Sequence, residues 1–139
     1  MDDRESLSIV LFSGTDDRLS AAAILIVGAA AMDRRVDILL QYWALDAFRK
    51  QGIRKPRGAS SEAGLEGWEV LQRSAEELGT THWSDVLRQA KDIGGVQIHA
   101  CSQSMDIFKL GMEDLDPMVD GVQGVAAFWA AATGQVVFI

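Results

Sequence analysis

The chain has 139 residues, enough for one domain over 1–139 with a real core, and its 48% apolar content excludes a disordered polymer. A formal net charge of −7 excludes the basic surface that nucleic acids and anionic membranes select, so neither is expected as a partner. One cysteine excludes an intrachain disulfide, and two histidines far apart offer no zinc-ligand spacing, so no metal is expected; both points suit a reducing cytoplasm.

Residues 1–7 are a charged lead-in with no apolar core of a secretory signal, and fraying is expected there. Residues 8–12 form a continuous apolar run, the pattern of a strand buried on both faces. Ser13-Gly14-Thr15 makes a turn, and Thr15 or Asp16 can cap the helix predicted over 16–32. Asp16 and Asp17 fall in its first turn, where negative charge offsets the helix dipole. The apolar part of this helix, 19–32, falls short of the ~20 residues a bilayer requires, so no membrane span is expected.

A second strand is predicted over 36–43, followed by two helical turns over 44–51 that Gly52 closes. Residues 53–64 are basic, contain Gly and Ser, and show no periodicity, which predicts a flexible loop that acts as a solvated connection. Leu65, Trp68, Leu71, Ala75 and Leu78 recur at helical spacing up to Gly79. Trp83, Val86, Leu87, Ala90 and Ile93 do the same up to Gly94-Gly95, giving a helical hairpin in which Trp68 and Trp83 are packing anchors.

Residues 96–100 are the third strand and Cys101 is its terminus; Ser102 can cap a helix over 103–109. Residues 112–120 are acidic and turn-like, Val122 marks a short fourth strand, 124–133 an Ala-rich helix, and 136–139 a last strand. Strands alternating with helices predict a single-domain, three-layer α/β/α fold with an open, mostly parallel sheet of about five strands.

Chemistry concentrates at Cys101. In open α/β sheets, reactive groups sit at the C-terminal ends of strands. A helix start there presents unpaired N–H groups, here those of Ser104 and Met105, and a partial positive charge that favours a thiolate. With no second cysteine, the remaining roles are a covalent carrier or a reaction completed by a partner's thiol. His99 shares the strand face of Cys101, but the i,i+2 separation of ~6–7 Å is too long for a hydrogen bond, which leaves a structural histidine. Ser13-Gly14 and Trp43 belong to neighbouring strand ends and are expected to line a pocket with Cys101. The Ser13-Gly14-Thr15 turn carries no Walker or Gly-x-Gly-x-x-Gly pattern, and Asp16 and Asp17 oppose a phosphate, so nucleotide or flavin binding is the weaker reading and no cofactor is implied.

Several segments resemble the DsrE/DsrF-like, TusD-related sulfur-relay family, in the branch often labelled "peroxiredoxin family protein". They are Phe12-Ser13-Gly14 with Asp17-Arg18, the Ala-rich first helix, Tyr42-Trp43-Ala44-Leu45 and Gly124-Val125-Ala126. The most specific is Ala100-Cys101-Ser102-Gln103-Ser104-Met105-Asp106, similar to that branch's Ala-Cys-x-x-Ser-Met-Asp signature; Phe108-Lys109 depart from its usual Met-Gly. A peroxidase would need a Thr-x-x-Cys nucleophile and a resolving cysteine, and neither is present. The resemblance implies a homotrimer or hexamer in which Cys101 accepts and passes sulfane sulfur as a persulfide. Its implied partners are a TusA-like sulfur carrier and a rhodanese-like donor. The competing readings are a non-catalytic small-molecule-binding domain and a structural subunit with an inert cysteine.

Overall fold

The computed structural model describes residues 5–139; of the expected lead-in, residues 1–4 lie outside the described part. In chain order the elements are β1 (Leu7–Leu11), α1 (Asp16–Ala31), β2 (Val36–Leu40), α2 (Tyr42–Ala47), α3 (Gly64–Leu78), α4 (Trp83–Ile93), β3 (Val96–Cys101), α5 (Ser102–Phe108), β4 (Gly121–Gln123), α6 (Val125–Ala131) and β5 (Gln135–Phe138). All five strands are parallel, in the order β4-β3-β2-β1-β5.

The twofold alternation of side chains divides the sheet into two faces. Ile9, Leu11, Val36, Ile38, Leu40, Val96, Ile98 and Ala100 enter the main core with Leu19, Ala23 and Ile26 of α1 and Leu87 and Ala90 of α4. The alternate residues Leu39 and Cys101 point the other way, where Phe128 of α6 covers them and Val10 packs alongside. A thick helical layer therefore lies on one face and a two-turn helix on the other, which completes the α/β/α sandwich.

Several local details differ from the sequence expectation, each for a physical reason. β2 ends at Leu40, not at residue 43, because Tyr42 takes a positive φ of 45° and starts α2. The Ser104 hydroxyl accepts the Tyr42 N–H at 3.1 Å and holds that turn. Cys101, not Ser102, is the N-cap of α5, so Ser102 lies inside the helix and Lys109 ends it in the left-handed region. Thr15 is the N-cap of α1 by backbone geometry, but its hydroxyl lies 3.3 Å from that of Ser13 and makes no capping bond. In the expected helical hairpin, α4 delivers Trp83 and Leu87 to the core, whereas no residue of α3 is buried and Trp68 is half-buried.

The acidic segment before β4 is anchored rather than loose. Leu115, Met118 and Val119 are buried, and the Asp120 carboxylate accepts the Ile98 N–H at 2.8 Å beside Lys91. The next residues then pair as β4, with Cys101 opposite Gln123.

Candidate functional site

The C-terminal ends of the parallel strands gather the loops that open α/β sheets use for binding. Cys101 is placed there by β3, an interior strand whose last residue also starts α5. Its side chain is 3% exposed and packs with Leu39 and Phe128. Among the described residues one side chain hydrogen-bonds to the sulfur: Gln41, the extended residue directly after β2, donates its side-chain N–H to Sγ at 3.9 Å. His99 lies on the same strand face, half-buried, with Nδ1 buried and unpartnered, and makes no contact that would activate the thiol.

Ser13, Gly14 and Trp43 do come together. With Phe12, Thr15, Arg18 and Arg57 they line a hollow of about 230 Å³. Cys101 is not part of that lining, so the expected shared pocket is divided into an open hollow and a covered sulfur. The close packing explains Gly14: a Cβ there would meet the Trp43 carbonyl oxygen at 2.5 Å and its carbon at 2.9 Å. Ser104 is buried and supports Tyr42, Met105 is a core residue, and Ser102 is half-buried at the first turn of α5.

Sequence reasoning overlooked four contributors. Gln41 follows an apolar strand at its C-terminal end, a position that could have drawn attention. Phe128 gave no signal, because it meets the sulfur only through the folded packing of α6 against the sheet. Phe12 and Phe108 complete a string of rings along the strand ends: Phe138–Phe12 at 5.9 Å, Phe12–Tyr42 at 5.7 Å, Tyr42–Phe108 at 6.3 Å and Phe108–Trp43 at 5.7 Å between centroids. These are spacings at which aromatic pairs attract one another. Trp43 is 53% exposed, so the string ends on an open indole.

The basic loop after α2 is irregular as expected, and it is tied to the first turn of α1. Arg57 donates Nε–H to the Gly14 carbonyl at 2.6 Å and pairs with Asp46 at 3.0 Å, while its backbone N–H goes to Asp16 at 2.7 Å. The Asp16 N–H donates to the Gly58 carbonyl at 2.8 Å, and Asp17 accepts both the backbone N–H and the hydroxyl of Ser60. Burial works to raise the Asp17 carboxyl, but the hydrogen bonds from Ser60, Thr15 and Arg18 outweigh it and hold it below the usual carboxylate range. A phosphate at this helix start would have to displace the loop.

Among the described residues no helix is long and apolar enough to cross a membrane, and no group of three or more His, Cys, Asp or Glu side chains converges as metal ligands would.

Three comparisons with known proteins bear on the chain. The sequence profile of the DsrE/DsrF/DrsH-like family matches residues 3–65. The uncharacterized protein YrkE of Bacillus subtilis (strain 168) is 31% identical over 146 aligned positions, spanning 90% of this chain and 89% of YrkE. Two solved structures share the fold. The ychN protein of E. coli superposes with a TM-score of 0.57 at 13% identity, covering 96% of this chain and 98% of that one. The MTH1491 protein of Methanobacterium thermoautotrophicum gives 0.55 at 15% identity, covering 96% and 99%.

Proposed function

Because this chain belongs to the DsrE/DsrF/DrsH-like family, we propose that it is a sulfur-relay protein that carries sulfane sulfur as a persulfide on Cys101. The carrying observation is the position of the chain's one thiol. It closes an interior parallel strand, begins the next helix, and receives an amide N–H from Gln41. The Cys101 thiolate attacks the outer sulfur of a donor persulfide, forming one S–S bond as the donor's breaks, and the donor leaves as a thiolate. An acceptor thiolate then attacks the outer sulfur on Cys101 and restores the cysteine, so the cycle needs no oxidant or reductant.

The expected partners are a rhodanese-like donor and a TusA-like acceptor in a reducing compartment such as the cytoplasm. The exposed rings of Trp43 and Phe138 at the strand ends supply an apolar landing surface for them. The chain is further proposed to assemble as a homotrimer or hexamer. Val122 of β4 and Val125 and Trp129 of α6, the last two four residues apart at helical spacing, are exposed apolar side chains that a second copy would cover.

The test is intact mass after incubation with a persulfide donor. Wild type gains the mass of one sulfur and Cys101→Ser gains none; no gain in wild type, or an equal gain in the variant, overturns the proposal. A second reading, an inert structural cysteine, rests on the 3% exposure of Cys101 and its packing against Phe128. It requires that a thiol reagent label Cys101 only after global unfolding.

A further inference from the structure

The sheet ends in two edges, β4 and β5, and their chemistry differs. β4 is three residues long and follows Asp120, whose carboxylate pairs with Lys91. Very short strands and nearby charges keep sheet edges from pairing with other chains. β5 runs Gln135-Val136-Val137-Phe138, Ile139 continues its ladder, and none of these residues is charged or a proline. No Asp, Glu, Lys or Arg occurs from Gly121 to Ile139, although 24% of the chain is charged.

The backbone of β5 defines what fits this edge. Gln135 and Ile139 donate their N–H groups to the Ser6 and Val10 carbonyls, each at 3.0 Å. The twofold alternation of the strand turns Val137 the same way and turns the N–H and C=O groups of Val136 and Phe138 outward. Among the described residues, nothing bonds to those outward groups. The side chains are open too, Val136 at 40% and Phe138 at 67% exposure. An extended backbone from another chain completes such a row.

The row is also its own complement. Antiparallel pairing centred on Val137 sets Val136 opposite Phe138 of a second copy, and Phe138 opposite Val136 of that copy. Both pairs exchange N–H···O=C bonds in each direction, so every outward group is satisfied. Charge selects the same occupant. With a net charge of −7, two copies repel one another, and the repulsion is least where an uncharged strand meets its equal.

We propose that β5 pairs edge to edge with β5 of a second copy across a twofold axis, joining two sheets into one. The contact engages the Phe138 backbone and one flank of its ring and leaves Trp43 open. It is distinct from the α6 patch and does not involve Cys101, so it goes beyond the sulfur-relay reading and is tested separately from it.

The test is residue-resolved amide exchange of the full chain over a dilution series, alongside sedimentation velocity. Where the mass has doubled, the Val136 and Phe138 amides are expected to be protected, and dilution that reverses the doubling should speed them at least about tenfold. The Val137 amide, turned towards β1, should change far less. Val136→Pro removes an outward N–H and no bond to β1, a place where an edge strand accepts proline. Val136→Lys instead adds an edge charge. Each should weaken the doubling step at least about tenfold, with circular dichroism unchanged. A chain that never doubles in mass, doubling with both outward amides unprotected, or doubling unchanged in the folded variants overturns the proposal. So does protection that survives dilution, because the edge is then covered from within the chain.

Discussion

Phe128 decides how reachable the sulfur is. Its ring is buried against Cys101 from a helix of only two turns, with most of the other α6 side chains exposed. Phe128→Ala should lower stability by about 3 kcal/mol, read from the urea midpoint, and raise the native-state alkylation rate of Cys101 at least about tenfold. Leu87→Ala, equally buried but in the main core, separates this local effect from general loosening: it should destabilise comparably and speed alkylation much less. Gly14 tests the other half of the site. Its missing Cβ leaves room for the Trp43 carbonyl, a backbone atom that cannot swing aside. Gly14→Ala should therefore cost about 1–3 kcal/mol and alter the fluorescence of Trp43. The place of Cys101 at a strand end was legible from the apolar run before it. Its covering was not, since that depends on where a helix more than twenty residues later packs.

Among the elements, the strands were readable because residues buried on both faces give unbroken apolar runs. Tyr42 and Trp43 misled the reading for a physical reason. Aromatic residues suit strands, but the Tyr42 N–H is claimed by Ser104, sixty-two positions away, and the chain turns there. The periodicity of α3 announced a helix and its apolar side, yet could not say that the side meets a cavity instead of a core. α4 carries a pH signal. His82 is its N-cap, and Nδ1 accepts the Ser84 N–H at 3.2 Å, which requires that nitrogen to be unprotonated. Burial first, then the charge of Arg54, lower its value below the usual 6.5. The unfolded chain thus binds a proton at a pH where the folded one does not, so stability is intact above 6.5 and declines as pH falls towards the lowered folded value. His82→Asn keeps an acceptor for Ser84 but should abolish that slope, measured as the midpoint of thermal unfolding from pH 7 to 5.

For the whole molecule, protection should follow the two-sided burial of the sheet. Amide exchange is expected to be slowest in β1, β2 and β3 and fastest in α3, which buries no side chain. Protection of α3 equal to that of β2 would contradict this description. The composition and the strand–helix alternation made the α/β/α class legible. The strand order was not, because nothing local in 135–138 says that this segment lies beside β1.

That adjacency has a kinetic side. Leu7 pairs with Gln135 and Val10 with Phe138, so the final strand completes the edge of the first only after nearly all the intervening chain has been threaded. Closing so long a loop costs little more than closing a moderate one, since the penalty grows with the logarithm of length. The search for it is nonetheless slow, as it is for topologies dominated by distant partners. During that search Phe12, whose ring ends up stacked on Phe138, stands uncovered on a sticky nascent surface. A chain held midway would be prone to clump with its neighbours through the vacant flank of β1, and conditions that delay docking of the last strand would shift its fate from refolding to precipitation.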